Sequence, residues 1–433
     1  MSRLLRTDLV DAAVLEAFGL VREQGWLSDR ALDRVLRREK RLYAQERRAV
    51  AESVYGILRS LGQLAFLLGA GEREPDLATL YALHLARSGP TSAEAAARRL
   101  GLAPRLIADA LERADARIAA LEDPLERLSV ESSLPRWIAE RFVEELGAEE
   151  GRALALSLNA RAPLTARANL LKTDRQGLVR RLEEEGVSAH PTRYSPWGLA
   201  LDGHQNAFAL PSFREGLFEI QDEGSQLIAL AVGARAGQVV VDACAGAGGK
   251  ALALAAEMHG KGSLHGLDRD PERLEEARRR ARRAEVHNLR TRTVPPGPEA
   301  GAALADLAGA CDRVLVDAPC SGLGSLRRHP DLRYRLGPAE PARFAALQKE
   351  LLLRYAQLLR PGGRLVYATC AIGRLENEEV ASFVARELLS PCPLAAALGA
   401  DLAAALGARG ETLQLLPHRH GTDGFFLSAF VRT

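Results

Sequence analysis

Cysteine is scarce in this sequence: five in 433 residues, at Cys244, Cys311, Cys320, Cys370 and Cys392. The number is odd and no two share CxxC spacing, which argues against a disulfide framework and against a zinc site. Aromatic residues make up 5%, too few to suggest a stacking platform of the kind that grips single strands. Charge of one sign is also lacking: the net value is +2, so the chain as a whole is no polycation. No apolar run approaches the ~20 residues that cross a bilayer. The opening stretch MSRLLRTDLVDAAVLEAFGL has no apolar core of the signal-peptide kind, because Asp8 and Asp11 interrupt it. These absences predict a soluble, cytoplasmic protein, monomeric, with no membrane and no metal. What is present is globular, with 47% hydrophobic and 26% charged residues. The length suggests about three domains.

Residues 1–125 read as all-helical. Val14, Leu15, Phe18 and Val21 recur at helical spacing, as do Val50, Val54, Ile57 and Leu61. Ser28, and either Thr91 or Ser92, are candidate N-caps. Around Asp123-Pro124 the character changes, and residues 130–215 form a small α+β unit. It opens on the amphipathic LPRWIAERFVEELG, with Trp137, Ile138, Phe142 and Leu146 inward. Residues 216–433 alternate continuous apolar strands with helices, as in VVVDACAGAGG, GSLHGLDRD, DRVLVDAPC and GGRLVYATC. That pattern indicates an α/β domain: a parallel sheet covered on both faces.

Two features of this third region carry chemistry. The first is a Gly-rich turn between a strand and a helix, where the backbone can approach a ligand closely at the carboxyl edge of the sheet. Asp268 follows Gly246 by 22 residues and ends the next strand, a spacing suited to a carboxylate on ribose hydroxyls. Alone, this leaves a nicotinamide dinucleotide and S-adenosylmethionine equally open, and a plain strand–helix turn with a capping Asp as well. The second feature is a pair of cysteines, Cys320 and Cys370, each behind a strand of the same sheet and so aimed at the same crevice. A thiolate adding at C6 of a pyrimidine makes C5 nucleophilic towards a methyl group, and a reactive thiol needs surroundings that lower its pKa. Asp317, just before Cys320, is placed to hold or protonate N3. Loss of the C5 proton and of the thiol ends the cycle, and a second thiol can assist there. A single cysteine of this kind would be read as a small buried hydrophobe; two, flanked by Asp-Ala-Pro and Tyr-Ala-Thr, would not.

On these stretches the sequence resembles the RsmB/Nop/Sun family of RNA cytosine-C5 methyltransferases. The matching pieces are QDEGSQLIALAV (221–232), DACAGAGGK (242–250), DAPCSGLGSLRRHPDLRYR (317–335), YATCAIGRLENEEV (367–380) and LPHRHGTDGFF (416–426). YAQERRAVAESVYGILR resembles the NusB-like helical domain of the RsmB subgroup, and the middle region resembles the small RNA-binding domain of the family. The resemblance implies a class I, Rossmann-like S-adenosylmethionine-dependent methyltransferase domain. It makes Cys370 the nucleophile on C6 and Cys320 the thiol that assists product release, with Asp317 on the cytosine edge. Cys244, Ala245, Gly246, Ala247, Gly248, Gly249 and Lys250 would wrap the methionine end of S-adenosylmethionine, with Asp317 near them and Asp268 on the ribose. The family usually carries an acid after the third strand, near the adenine; here RTRTVPPGPEAG offers only Glu299. Ala371 stands where Ser is common.

Ribosomal RNA of the small subunit is the expected substrate by analogy with the NusB-like subgroup. Transfer RNA is a rival within the class, and a non-catalytic RNA-binding assembly factor a rival outside it. An oxidoreductase using a dinucleotide would leave both thiols and Asp317 unexplained. Of three basic stretches, Arg327, Arg328, Arg333 and Arg335 lie closest to the chemistry and are the expected RNA contacts. The run ARRRARR (277–283) reads as a solvated helix face, and Arg34–Arg48 is open either way. ENEEV (376–380) is expected to start a helix with its acids at the N-terminus. Structural roles are at least as good a reading of His418, His420 and Asp423, and Cys311 and Cys392 are read as inert.

Overall fold

The structure is a computed structural model that describes residues 5–69, 75–89, 91–203, 206–297 and 299–433. The opening four residues, part of the leader reading above, lie outside them. The chain forms two compact units: one runs to Arg161 and takes in Leu326–Pro338, the other comprises Ala162–Ser325 and Ala339–Thr433. Among the described residues no helix is long and apolar enough to cross a membrane.

The first unit is helical. Helices Thr7–Arg22, Ser28–Arg38, Ala44–Leu67 and Leu77–Ser88 bury their periodic apolar faces together, with Val14, Phe18, Val50, Val54, Ile57 and Leu64 fully enclosed. Ser92 caps the helix Ala93–Arg99 by accepting from the Ala95 amide at 3.2 Å. Ser28 is not a cap: it is the first residue inside its helix and its hydroxyl donates to Asp331 at 2.6 Å. The unit also differs from the expected division at 125. Helices Pro124–Ser132, Arg136–Leu146 and Ala148–Ser157 pack with it rather than with the small α+β region.

The second unit holds two sheets. The small one has β1 (Thr165–Ala168), β2 (Ala189–Pro191), β3 (Gly198–Leu201) and β4 (Phe218–Ile220), in the order β2-β3-β1-β4 and all antiparallel. β4 lies beyond the expected boundary at 215. It belongs to this sheet because Phe218–Ile220 pairs with Ala166–Ala168.

The large sheet contains β5 (Val239–Asp242), β6 (Ser263–Asp268), β7 (Leu289–Thr293), β8 (Cys311–Asp317), β9 (Leu359–Thr369), β10 (Ser390–Pro391), β11 (Thr412–Leu415) and β12 (Phe425–Val431). Its order is β10-β12-β9-β8-β5-β6-β7, with β11 also paired to β12. Strands β9, β8, β5, β6 and β7 are parallel, and β12 runs antiparallel to β9. Side chains alternate between two cores. Val240, Leu315 and Val366 pack with helices Glu223–Val232 and Gly249–Glu257, while Val241, Val314, Val316 and Tyr367 pack with Glu340–Ala356 and Glu378–Glu387. Burial on both faces is why these strands read as unbroken apolar runs. The chain winds outward from β5 to β6 and β7, then returns to β8 on the other side of β5. The carboxyl ends of β5 and β8 therefore flank the switch point, where an open α/β sheet has its crevice.

Candidate active site

Every functional side chain singled out in the second unit lies at this carboxyl edge. In register, Asp242 on β5 pairs with Leu315 on β8, and Asp317 at the end of β8 pairs with Ala368 on β9. The loops that leave β8 and β9 carry Cys320 and Cys370, and their Sγ atoms stand 3.3 Å apart. Both are half-buried. The proximity has a backbone cause: the Gly324 amide donates to the Cys370 carbonyl at 2.8 Å, and the Gly424 amide donates to the Gly324 carbonyl at 2.9 Å. A Cβ on Gly324 would lie 2.1 Å from the Gly424 carbonyl oxygen and 2.8 Å from that of Cys370, so only glycine lets these segments cross. The Cys320 thiol is pushed well above its usual range, first by its hydrogen bond with Cys370 and then by burial. Cys320 therefore keeps its proton in the resting site.

The Gly-rich turn is built as the sequence predicts. Gly246 and Gly248 have φ of +51° and +84°, in the left-handed region that side chains disfavour. A Cβ on Gly248 would also meet Ala277 at 2.9 Å, where helix Pro271–Arg283 packs against the turn. Asp268 accepts from the Gly246 amide at 2.8 Å and from the Asp270 amide at 2.9 Å, which ties the end of β6 to the turn. Lys250, in the first turn of its helix, donates to Asp317 at 2.6 Å. Burial works against the Lys250 charge, but Asp317, then Asp242 and Cys370, outweigh it and raise the pKa. Lys250 is therefore an ammonium in this site. Cys244 is shifted up by burial and is no nucleophile. Burial likewise pushes Cys311 up to about 12, in keeping with an inert thiol.

Asp242 escaped the sequence reading. It is 1% exposed, and neither oxygen has a hydrogen-bond partner of good geometry; the Cys244 amide gives only partial relief. Burial, reinforced by Asp317, raises it to about 7. Its position ending β5 before the Gly turn was the available signal. A buried carboxyl without a hydrogen-bond partner leaves its oxygens for a ligand's donors. S-adenosylmethionine carries both an ammonium and a sulfonium, and the turn with Asp268 suits its ribose end, so the residues present fit this donor. No carboxylate appears at the end of β7: Thr293 and Val294 are uncharged, and Glu299 is exposed at the start of the short helix Glu299–Leu304.

The arginines expected to touch RNA are placed differently. Arg333 is fully buried in the helical unit. Its guanidinium donates to the carbonyls of Arg59 (3.0 Å), Ser132 (3.0 Å) and Leu158 (2.7 Å) and to Asn159 Oδ1 (2.6 Å). Arg327 is 5% exposed, and Arg335 is exposed but donates to the Gly25 carbonyl at 2.9 Å. Arg328 is half-buried. The expectation therefore fails for Arg333 and Arg327, because Leu326–Pro338 is a structural part of the helical unit.

The run 277–283 is only partly a solvated face. Arg278 and Arg279 pair with Glu275 and Glu276, but Arg280 and Arg283 turn inward to the buried Glu219 of β4. Arg280 also donates to the Ala247 carbonyl at 2.8 Å. In the stretch 34–48, Arg37, Arg38, Arg41 and Arg48 pair with Asp33, Glu16, Glu39 and Glu52. His420 has a structural role, with Nδ1 accepting from the Leu416 amide at 2.9 Å.

Comparison with known proteins agrees with this geometry. Residues 229–431 match the family model of the 16S rRNA methyltransferases RsmB/F, and residues 134–207 match that family's ferredoxin-like domain. The chain belongs to the RsmB/F methyltransferase family. A probable ribosomal RNA small subunit methyltransferase B of Synechocystis is 31% identical across 93% of this chain and 94% of its own. One from Bacillus subtilis is 33% identical over 71% of this chain and 68% of its own. Among solved structures, PH0851 superposes with a TM-score of 0.77 at 26% identity over the whole of both chains. A methyltransferase homologue of Pyrococcus horikoshii gives 0.60 at 26% identity, over 72% of this chain and all of its own.

Proposed function

We propose that this chain methylates C5 of a cytosine in small-subunit ribosomal RNA through a covalent adduct on Cys370. The observation that carries the reading is the pair of sulfurs 3.3 Å apart at the ends of β8 and β9, beside the Lys250–Asp317 pair. S-adenosylmethionine supplies an electrophilic methyl group. Cys370 adds as thiolate to C6 of the base, with the Lys250 ammonium nearby to favour its charge. The electron pair displaced from the C5=C6 bond then makes C5 the attacking carbon. Lys250 occupies one oxygen of Asp317, and the other is left for the edge of the cytosine.

Once Cys370 is bonded to carbon it is no longer an anionic acceptor, and the main influence holding a proton on Cys320 is gone. Cys320 then gives its proton to solvent and, as thiolate, is the base that takes the C5 proton. The C5–H pair re-forms the double bond, and the C6–S pair returns to Cys370 as thiolate. The substrate must present its cytosine unpaired or flipped, since the ring has to reach the crevice. The names of the full-length relatives support ribosomal RNA over transfer RNA.

The test is methyl transfer from tritiated S-adenosylmethionine to deproteinised small-subunit ribosomal RNA, followed by mapping of the labelled nucleotide. Label in 5-methylcytosine is the expected result. Label in another base, or in transfer RNA alone, would overturn the proposal.

A further inference from the structure

The residues Glu376 and Asn377 stand between the two catalytic loops, and neither has been given a role in the chemistry. Glu376 is 1% exposed. Its carboxylate accepts from the Ser321 amide at 2.8 Å, the Ser321 hydroxyl at 2.5 Å and Gln348 Nε2 at 3.2 Å. Gln348 Nε2 also donates to the Pro319 carbonyl at 2.9 Å, and Tyr367 OH donates to Gln348 Oε1 at 2.9 Å. Both neighbours of Cys320, Pro319 and Ser321, are therefore fastened to one buried polar network. Asn377, fully buried, does the same for the other thiol. Its Oδ1 accepts from the Thr369 hydroxyl at 2.7 Å and its Nδ2 donates to the Ala371 carbonyl at 3.3 Å. Thr369 and Ala371 are the two neighbours of Cys370.

We propose that Glu376-Asn377 is a clamp that sets the distance between the two sulfurs, with Glu376 the positioning residue for Cys320. This rests on the covalent reading above. The Ser321 amide donates to one Glu376 oxygen and the Ser321 hydroxyl to the other, so a single side chain anchors the loop at two points. The Glu376 charge also helps hold the proton on Cys320 until the adduct forms. Glu376→Ala removes both acceptors, so the Ser321 loop loses its anchor while Cys370 keeps its own. Attack and methyl transfer then proceed, and release is slowed.

The full-length protein, its Cys320→Ala, Glu376→Ala and Ser321→Ala variants, labelled small-subunit ribosomal RNA and S-adenosylmethionine make up the test. Each mixture is run on a denaturing gel, with single-turnover methyl transfer measured alongside. Glu376→Ala is expected to accumulate a slow protein–RNA band, as Cys320→Ala does. Its turnover should fall about 10- to 100-fold while single-turnover transfer stays near wild type. Ser321→Ala, which removes only the hydroxyl arm, should do the same more weakly and guards against a folding defect in the first variant. A band with Cys320→Ala but none with either other variant overturns the clamp and leaves the covalent reading standing. No band even with Cys320→Ala overturns both.

Discussion

At Asp242 the sheet encloses a carboxylate beside a second one, Asp317, and raises its pKa to about 7. The ordinary value is about 3.9, so the folded apo protein prefers the protonated form. A raised carboxyl contributes stability that is complete below about pH 4 and is lost as pH rises through about 7. Asp242→Asn, which keeps the shape without the charge, should remove that loss. Its melting temperature relative to wild type should rise by several degrees between pH 4 and pH 8, with most of the rise complete by pH 7. Calorimetry of the two apo proteins at both pH values checks this, and parallel pH profiles would contradict it. Cys370→Ala belongs to the same scale. Methyl transfer should disappear while S-adenosylmethionine binding, followed by isothermal titration, is unchanged, because the Gly-rich turn proposed to hold the donor follows a different strand. Turnover near wild type would remove Cys370 as nucleophile.

At the scale of elements, the site depends on loops crossing closely behind β8 and β9. Gly324→Ala forces a methyl group into the Gly424 carbonyl. It should cost about 2–3 kcal/mol of stability, read from urea unfolding, and lower turnover by more than tenfold through displacement of Cys370. A variant as stable and active as wild type would show that the crossing is not constrained. Much of this level was legible in the sequence. Continuous apolar strands, the Gly turn and the two strand-end thiols follow from period and spacing, which local sequence carries. From sequence, Glu376 reads only as a helix-start charge. In the structure Glu378 and Glu379 occupy that first turn, while Glu376 faces inward. Asp242 is illegible in the sequence for a related reason. Whether a strand-end acid finds a partner is decided by the neighbouring strands, not by its own segment. Arg280 and Arg283 also escaped: the partner Glu219 lies 61 and 64 residues away, and nothing in the helix itself announces it.

For the whole molecule, the telling segment is Leu326–Pro338, which leaves the second unit in sequence and completes the helical one. Adjacency to Cys320 made its arginines look like substrate contacts. Burial of Arg333 on three carbonyls and an amide oxygen makes it a keystone of the helices instead. Burial lowers its pKa to about 10, which leaves it charged at neutral pH. Arg333→Ala should cost about 3 kcal/mol, since several buried carbonyls lose their donor together. Arg333→Lys should recover only part of that, because one ammonium cannot span the same fork. Denaturant unfolding of both variants measures the difference; equal stability of Arg333→Ala and wild type would refute the structural role.

The central claim concerns which sulfur bonds to the base. The most direct measurement is tandem mass spectrometry of the protein–RNA adduct trapped by Cys320→Ala in the presence of S-adenosylmethionine, after nuclease and protease digestion. A methylated cytidine fragment on the peptide that contains Cys370 is the result expected here. Attachment at another residue, or no attachment from RNA that the wild-type protein methylates, would contradict it.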